Sequence, residues 1–208
     1  MRAVKVSGDR DKLIFRGDLR FALGSVDYDS NATGSANGDP DWYLEARGLF
    51  GKDWVINEAV ISPYTGLGYR YLFNDGRGLT STGYSGYRRE SNYLYLPIGM
   101  IHRIALNGQA RLESTLEYDY LLAGTQNTSL SDVGAGYSDV TNNQSSGYGL
   151  KFSVMYLKSK WAIGPYAHYW NIGQSDTAII YQNGSPAFIG VEPQNNTMEF
   201  GLRASQQF

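Results

Sequence analysis

The last twelve residues of the chain, Thr197 to Phe208, read T-M-E-F-G-L-R-A-S-Q-Q-F. Apolar side chains occupy positions 198, 200, 202, 204 and 208, whereas the odd positions are polar or glycine. Alternation with a period of two is typical of a β-strand that has one apolar and one polar face. The stretch therefore predicts a strand that runs to the last residue and ends with an aromatic side chain on its apolar face.

Seven earlier segments repeat this alternation. They lie at about Leu13–Ser25, Trp42–Phe50, Ala59–Phe73, Asn92–Arg103, Gln109–Leu122, Tyr148–Leu157 and Trp161–Ile172. The connections between the eight segments alternate between long and short, and the long ones are rich in Asn, Asp, Ser and Gly. The long connections are Val26–Asp41, Asn74–Ser91, Ala123–Gly147 and Gly173–Asn196. This spacing predicts an antiparallel sheet whose long loops all leave from one end.

Composition excludes several classes of protein. No apolar run approaches the roughly 20 residues of a membrane-spanning helix, although a spanning strand needs only about 10 residues with alternate ones apolar. The chain of 208 residues has no cysteine, which excludes disulfides and thiolate chemistry. Its net charge of −2 does not suggest a nucleic-acid partner.

The polar face of the predicted strands is rich in charge. Its charged residues are Arg16, Asp18, Arg20, Glu45, Arg47, Arg70, Arg111, Glu113, Glu117, Asp119, Lys151, Glu199 and Arg203. In a soluble barrel of the lipocalin kind these side chains would face water, with the apolar face inside. In a membrane barrel they would fill the lumen. The long loops on one side, the frequent tyrosines at strand ends and the terminal Phe208 favour the membrane barrel.

The C-terminal strand resembles the signature of bacterial outer-membrane β-barrel proteins, and the whole pattern resembles the small OmpA/OmpX-like barrels. The resemblance implies an all-β fold: an eight-stranded antiparallel transmembrane β-barrel with short periplasmic turns and long extracellular loops. Residues 1–208 would form one domain, with residues 1–12 as a periplasmic lead-in. The resemblance also implies that the barrel assembly machinery reads Phe208, and that the partners include outer-membrane lipid and lipopolysaccharide.

The segment Met1–Lys12 is charged and lacks the apolar core of a signal peptide. Because a protein of the outer membrane must be exported, we expect the printed sequence to correspond to the mature form.

Charges inside such a barrel should pair, since an unpaired buried charge is costly. A structural network of ion pairs is the simplest interpretation. A gated ion path and a glycosidase-like pair of carboxylates are alternatives. Inward glycines such as Gly68 and Gly99 could leave a gap along one wall, but the bulky arginines predict a lumen without an open pore.

The sequence around one histidine is similar to a motif of an enzyme family. His168-Tyr169-Trp170-Asn171 is similar in spacing to the His-x-Ser-Asn motif of lipid A deacylases of the PagL type. However, Trp170 stands where the nucleophilic serine belongs, and the alternation points His168 into the lumen. A lumen histidine bonded to tyrosine or carboxylate is the competing interpretation. We expect no catalytic residues, no metal and no cofactor.

The loop Asn74–Ser91 contains the residue types that are enriched at binding hot spots. The candidates are Arg77, Tyr84, Tyr87, Arg88 and Arg89. We therefore predict a monomeric, non-enzymatic surface protein that displays four extracellular loops for adhesion or for binding a host or envelope component. The extracellular ligand is unknown. The alternatives are a narrow channel for small solutes and a lipid A-modifying enzyme.

Overall fold

The computed structural model describes residues 12–106 and 110–206. Most of this part of the chain is β-strand, with one short 3-10 helix at Leu130–Asp132. The strands are β1 (Lys12–Ser30), β2 (Gly34–Ile56), β3 (Ala59–Asp75), β4 (Arg88–Ala105), β5 (Ala110–Thr128), β6 (Val140–Gln144), β7 (Gly147–Lys158), β8 (Trp161–Ile172), β9 (Thr177–Gln182), β10 (Ser185–Val191) and β11 (Asn195–Gln206).

Eight of these strands form one antiparallel sheet in the order β1-β2-β3-β4-β5-β7-β8-β11. Each strand pairs with the main strand before it in the chain, as expected when consecutive strands are joined by hairpins. The short strand β6 adds to the upper part of β5, and β9 pairs with β10 in a separate hairpin. The eight predicted strands are thus the eight strands of the main sheet.

The sheet is strongly curled. Lys151 on β7 reaches Glu45 on β2, with 3.1 Å between Nζ and Oε1. Arg20 on β1 reaches Glu199 on β11, with 2.6 Å between Nη2 and Oε1. Side chains from opposite edges of the sheet therefore meet over its concave face.

The expected closed barrel is not what the structure has. In the described residues β1 pairs only with β2 and β11 only with β8, so the two edge strands leave a seam between them. The architecture is a curled half-barrel. The long side chains of Arg20 and Glu199 cross the seam, whereas the described backbones on either side of it form no ladder.

The two faces of the sheet differ sharply in polarity. The convex face exposes large apolar side chains on every main strand, and on β1 each of them is more than half exposed: Leu13, Phe15, Leu19, Phe21 and Leu23. The concave face buries charged and aromatic side chains instead. This arrangement is the reverse of a lipocalin-like barrel, which would enclose its apolar face.

The two ends of the sheet also differ. At the turn end, two-residue turns with a left-handed residue join the strands, at Asn57 and Ser159. Residues 107–109, in the third connection at this end, lie outside the described residues. At the opposite end, here called the loop end, the segments 31–33, 76–87, 129–146 and 173–194 project. Within the described part of the chain, no helix is long and apolar enough to cross a membrane.

Two predicted loops contain regular structure. The stretch Val26–Asp41 continues β1 and β2 as a paired ribbon, and only residues 31–33 form its tip. The apolar piece from Ala178 to Tyr181, inside the predicted long connection Gly173–Asn196, belongs to β9 and pairs with β10. The Asn183-Gly184 turn, with φ values of 51° and 80°, explains this hairpin, because both residue types tolerate positive φ.

Candidate functional site

The middle of the concave face holds a network of ion pairs centred on Lys151. Its ammonium lies 3.1 Å from Glu45, 3.2 Å from Glu117 and 3.2 Å from Asp119. All three carboxylates are fully or almost fully buried. They come from β2 and β5, so the network joins strands that are not neighbours in the sheet.

Arginines surround this centre. Arg47 contacts Glu117 and lies 2.7 Å from Asp18, which also accepts a hydrogen bond of 2.6 Å from Arg16. Tyr64 donates a hydrogen bond of 2.6 Å to the other oxygen of Glu117. Each charge thus has an opposite partner, which is the condition under which burial of charge is tolerated.

Not every predicted lumen residue joins this network. Glu113 accepts a hydrogen bond of 2.8 Å from Arg103 in a separate cluster towards the turn end. Arg103 also contacts Ser62 and Asp53, and the sequence analysis had singled out neither Arg103 nor Asp53. Arg111 is exposed at the turn end of β5. Arg203 lines a small cavity of about 80 Å³ at the turn end of the concave face.

Aromatic rings fill the space that the inward glycines leave. The ring of Tyr95 packs against Gly68, and the ring of Tyr64 packs against Gly99. A Cβ atom at either glycine would overlap the opposing ring. Tyr95 has no exposed surface at all. We call this filled layer, made of Glu45, Tyr64, Tyr95, Glu117 and Lys151, the plug layer.

A larger cavity of about 690 Å³ lies at the loop end, and it shares no lining residue with the small cavity beyond the plug layer. The volume falls within the roughly 300–1,000 Å³ of small-molecule sites. Its wall includes the ends of β1 and β11 on either side of the seam. We call it the loop-end cavity.

Arg70 and Trp170 form the floor of this cavity, and both side chains are almost completely buried. The guanidinium carbon of Arg70 lies 4.3 Å from the ring centroid of Tyr43 and 5.9 Å from that of Trp170. The Trp170 ring packs against Tyr93 and edge-on against Tyr95, with centroids 6.5 Å and 5.2 Å apart. Stacking against several rings holds both floor residues in one orientation.

The floor contains polar nitrogens that lack a hydrogen-bond acceptor. In the described part of the chain, neither Nη1 of Arg70 nor Nε1 of Trp170 donates a hydrogen bond. Nη1 of Arg70 lies 3.5 Å from Oε2 of Glu45, an ion pair without hydrogen-bond geometry. Buried donors without acceptors are rare in proteins.

The upper wall carries both charge signs. Arg89 donates a hydrogen bond of 2.9 Å to the hydroxyl of Tyr87 and lies over its ring at 5.0 Å. Burial raises the pKa of Glu192 above its ordinary value, and the positive charge of Arg89 opposes this shift. Asp41 also lines the cavity, and burial likewise raises its pKa.

Contacts between the projecting segments hold the cavity in shape. Thr82 donates a hydrogen bond of 2.7 Å to the carbonyl of Thr33, which ties segment 76–87 to the β1–β2 tip. Asp176 accepts hydrogen bonds of 2.7 and 2.8 Å from the backbone and side chain of Asn143. The side chain of Asn142 donates to the carbonyl of Gly190 at 3.3 Å, which places the β9–β10 hairpin over β6.

The structure divides the five loop candidates. Arg77, Tyr84, Tyr87 and Arg89 line the loop-end cavity. Arg88 instead pairs with Asp132 of the 3-10 helix through two side-chain hydrogen bonds of 2.8 and 2.9 Å. The predicted assembly signal, Phe208, lies outside the described residues.

Arg70, Trp170 and Glu192 were not among the predicted binding residues. The three are far apart in the chain and meet only because the sheet curls. A usable signal existed for the first two, since both occupy inward positions near the loop end of their strands.

His168 lies on the concave face beside the plug layer. Its Nε2 is 3.5 Å from Asp119, and its Nδ1 is 3.3 Å from Arg20. The hydroxyl of Ser175 donates to the carbonyl of Asp176 at 2.6 Å and accepts from the amide of Glu192 at 2.8 Å. Among residues 12–106 and 110–206, no three His, Cys, Asp or Glu side chains cluster as a metal site.

Comparison with known proteins adds no family to this description. No model of a known protein family matches the chain, and no curated protein sequence matches it. The class that the structure defines is therefore an all-β protein built on one strongly curled, eight-stranded antiparallel sheet.

Proposed function

We propose that this protein is a non-enzymatic surface protein of the outer membrane of a Gram-negative bacterium, and that its loop end binds a ligand outside the cell. The observation that carries the proposal is the apolar convex face, which covers every main strand. In water so large an exposed apolar surface is unfavourable, whereas lipid tails solvate it without cost. The charged concave face and the short turns at one end fit the same environment.

A membrane barrel must have no open edge, because lipid cannot satisfy unpaired backbone groups. The proposal therefore includes a ladder between β1 and β11 in the membrane. The contact between Arg20 and Glu199 suggests its register, since both side chains point inward from facing positions of the two edges. In an antiparallel pair aligned on these residues, Leu19 would oppose Phe200 on the outer face.

Cysteine cross-linking tests the closure, and the absence of natural cysteine removes any background. Leu19→Cys combined with Phe200→Cys should form a disulfide in lipid vesicles. If the register is shifted by two residues, the disulfide should form instead between Phe21→Cys and Phe200→Cys. Leu23→Cys with Phe200→Cys is the control, because four residues of offset amount to about 13 Å, beyond disulfide reach. Failure of both near pairs to cross-link would show that the seam stays open.

The loop-end cavity supports a binding role for the exposed end. Residues of three projecting segments, 31–33, 76–87 and 173–194, line it, and the first two are hydrogen-bonded to each other, which limits the entropy lost when a ligand binds. The plug layer beneath it favours binding over the alternative of a narrow channel. Functional sites commonly lie on loops that a rigid scaffold holds in place. The proposed unit is a monomer that sits among outer-membrane lipids and lipopolysaccharide and is delivered by the barrel assembly machinery.

Protease treatment of intact cells tests the orientation. Cleavage should occur in segment 129–146 and should spare the turn at Ser159-Lys160, which the proposal places in the periplasm. In lysed cells the turn should become accessible to a lysine-specific protease, which serves as the control. Cleavage at Lys160 in intact cells would reverse the proposed orientation.

A further inference from the structure

The loop-end cavity has a chemistry that narrows the class of its ligand. We propose that it binds a neutral saccharide, such as the terminal sugar units of a glycan. The inference rests on the proposed function, because only exposure at the cell surface gives the cavity access to such a ligand.

The charge balance of the lining argues against strongly charged ligands. Four carboxylates and three guanidinium groups line the cavity: Asp27, Asp39, Asp41, Glu192, Arg70, Arg77 and Arg89. Some of this charge is already engaged, since Arg77 pairs with Asp75 at 2.6 Å and Asp27 accepts from the amide of Gly38 at 2.9 Å. A polyanion would meet the carboxylates, and a cation would meet the arginines on the floor and wall.

The polar groups argue equally against an apolar ligand. Arg70 on the floor and Arg89 on the wall can donate hydrogen bonds, while the wall carboxylates of Asp41 and Glu192 can accept them. An apolar ligand would exclude water from the cavity and leave both the donors and the acceptors without hydrogen-bond partners, which is costly. A sugar hydroxyl donates and accepts at the same atom, so a ring of hydroxyl groups can satisfy donors below and acceptors at the side.

The aromatic rings that line the cavity also match a saccharide. Tyr28, Tyr84, Tyr87 and Tyr93 line the walls, and Trp170 lies at the floor. The face of an aromatic ring is electron-rich, and the C–H face of a pyranose is weakly positive and apolar, so the two pack together while the hydroxyl groups point outward. Rigid aromatic surfaces beside planar carboxylate and guanidinium groups therefore match a sugar on both its apolar and its polar sides.

The test uses purified full-length protein refolded in lipid nanodiscs. Its binding is measured on an array of neutral, sialylated and sulfated oligosaccharides and on purified lipopolysaccharide with and without O-chains. Binding to neutral oligosaccharides is expected, and the lipopolysaccharide arm distinguishes an envelope source from a host source of the same chemistry. The best neutral oligosaccharide is then titrated against variants by calorimetry.

Two neighbouring arginines provide a matched comparison. Arg89→Gln should weaken binding by about tenfold or more, because it removes a cationic donor from the wall, whereas Arg88→Gln should change it less than about twofold. Trp170→Phe, which keeps a ring and removes the indole N–H, should also weaken binding. Protection from protease in vesicles reports whether each variant is folded.

Each of the following outcomes would overturn the inference that the cavity binds a neutral saccharide. Binding confined to sialylated or sulfated glycans would assign an anionic ligand, and equal losses for Arg88→Gln and Arg89→Gln would place the site outside the cavity. Capture of a protein partner that depends on Arg89, without glycan binding, would assign a peptide ligand. Absence of saccharide binding by protein that passes the intact-cell protease test would reject the saccharide while leaving the surface location in place.

Discussion

Replacing Lys151 by methionine should destabilise the folded protein more than any other change of a lysine to methionine in the described strands. Lys151 is mostly buried, and its ammonium contacts Glu45, Glu117 and Asp119 at 3.1 to 3.2 Å. Each pair of opposite unit charges at this separation attracts by about 5 kcal/mol at an effective dielectric constant of 20. Most of that gain offsets the desolvation of the four groups.

The net loss of stability depends on which ion-pair partners each carboxylate retains after Lys151 is replaced. Glu45 retains Arg70 at 3.5 Å and Arg20 at 3.7 Å, and Glu117 retains Arg47. Among the described residues, the only ion-pair partner that Asp119 keeps is His168, at 3.5 Å. Removal of one partner from a buried ion pair costs about 3–5 kcal/mol, and we expect the Lys151→Met variant to lose an amount in this range.

Urea unfolding in lipid vesicles, followed by tryptophan fluorescence, measures the loss. Lys160→Met in the exposed turn is the control and should change the free energy of unfolding by less than about 0.5 kcal/mol. Adding Asp119→Asn to Lys151→Met should recover a large part of the loss, because it removes the carboxylate left without a cation. If Lys151→Met were as stable as the control, or if Asp119→Asn gave no recovery, the buried network would not be what stabilises the concave side.

Three further predictions address the membrane, the lumen and the loops. Leu116→Arg on the convex face should cost about 2–4 kcal/mol in lipid, whereas Leu79→Arg at the loop end should cost close to nothing; a neutral Leu116→Arg in the same urea titration would reverse the assignment of the faces. In a planar bilayer the protein should pass at most small, flickering currents, and a steady single-channel current would mean that the plug layer opens. Hydrogen bonds from Arg88 hold the pKa of Asp132 below its ordinary value, so this tie stabilises the loop above about pH 4 and is lost as the pH falls further. Asp132→Asn should therefore speed hydrogen exchange of residues 129–133 at pH 7, and this effect, corrected for intrinsic rates, should shrink as the pH falls below the pKa of Asp132; an effect that stayed the same once Asp132 is protonated would contradict the reasoning.

Much of the sheet was readable from the sequence because strand pairing here is local. Each main strand pairs with the main strand before it, so alternation and the spacing of turns sufficed to predict eight strands in order. The polarity of the faces followed from the same alternation. The ribbon at Val26–Asp41 and the β9–β10 hairpin were missed because their residues are polar or irregularly patterned, and pairing stabilises them in the folded chain.

Arg88 and Arg89 illustrate what alternation can still reveal. Both were predicted to be loop residues with one role, but β4 begins at Arg88. Adjacent residues of a strand point to opposite faces, so only one of them can line the cavity. Extending the strand by four residues in the N-terminal direction would have separated the two from sequence alone.

The sequence by itself determined which residues form strands, which face of each strand is apolar and which end carries the long segments, because these properties depend on neighbours in the chain. Only the tertiary structure decided that Lys151 meets Glu45, Glu117 and Asp119, and that Arg70 and Trp170 form one floor beneath Arg89. These contacts join strands far apart in the sheet order. They depend on the total twist and curl accumulated over eight strands, and on the aromatic rings that pack against Gly68 and Gly99. The curl of the whole sheet brings these distant side chains together, and the alternation of residues along each strand does not predict that curl.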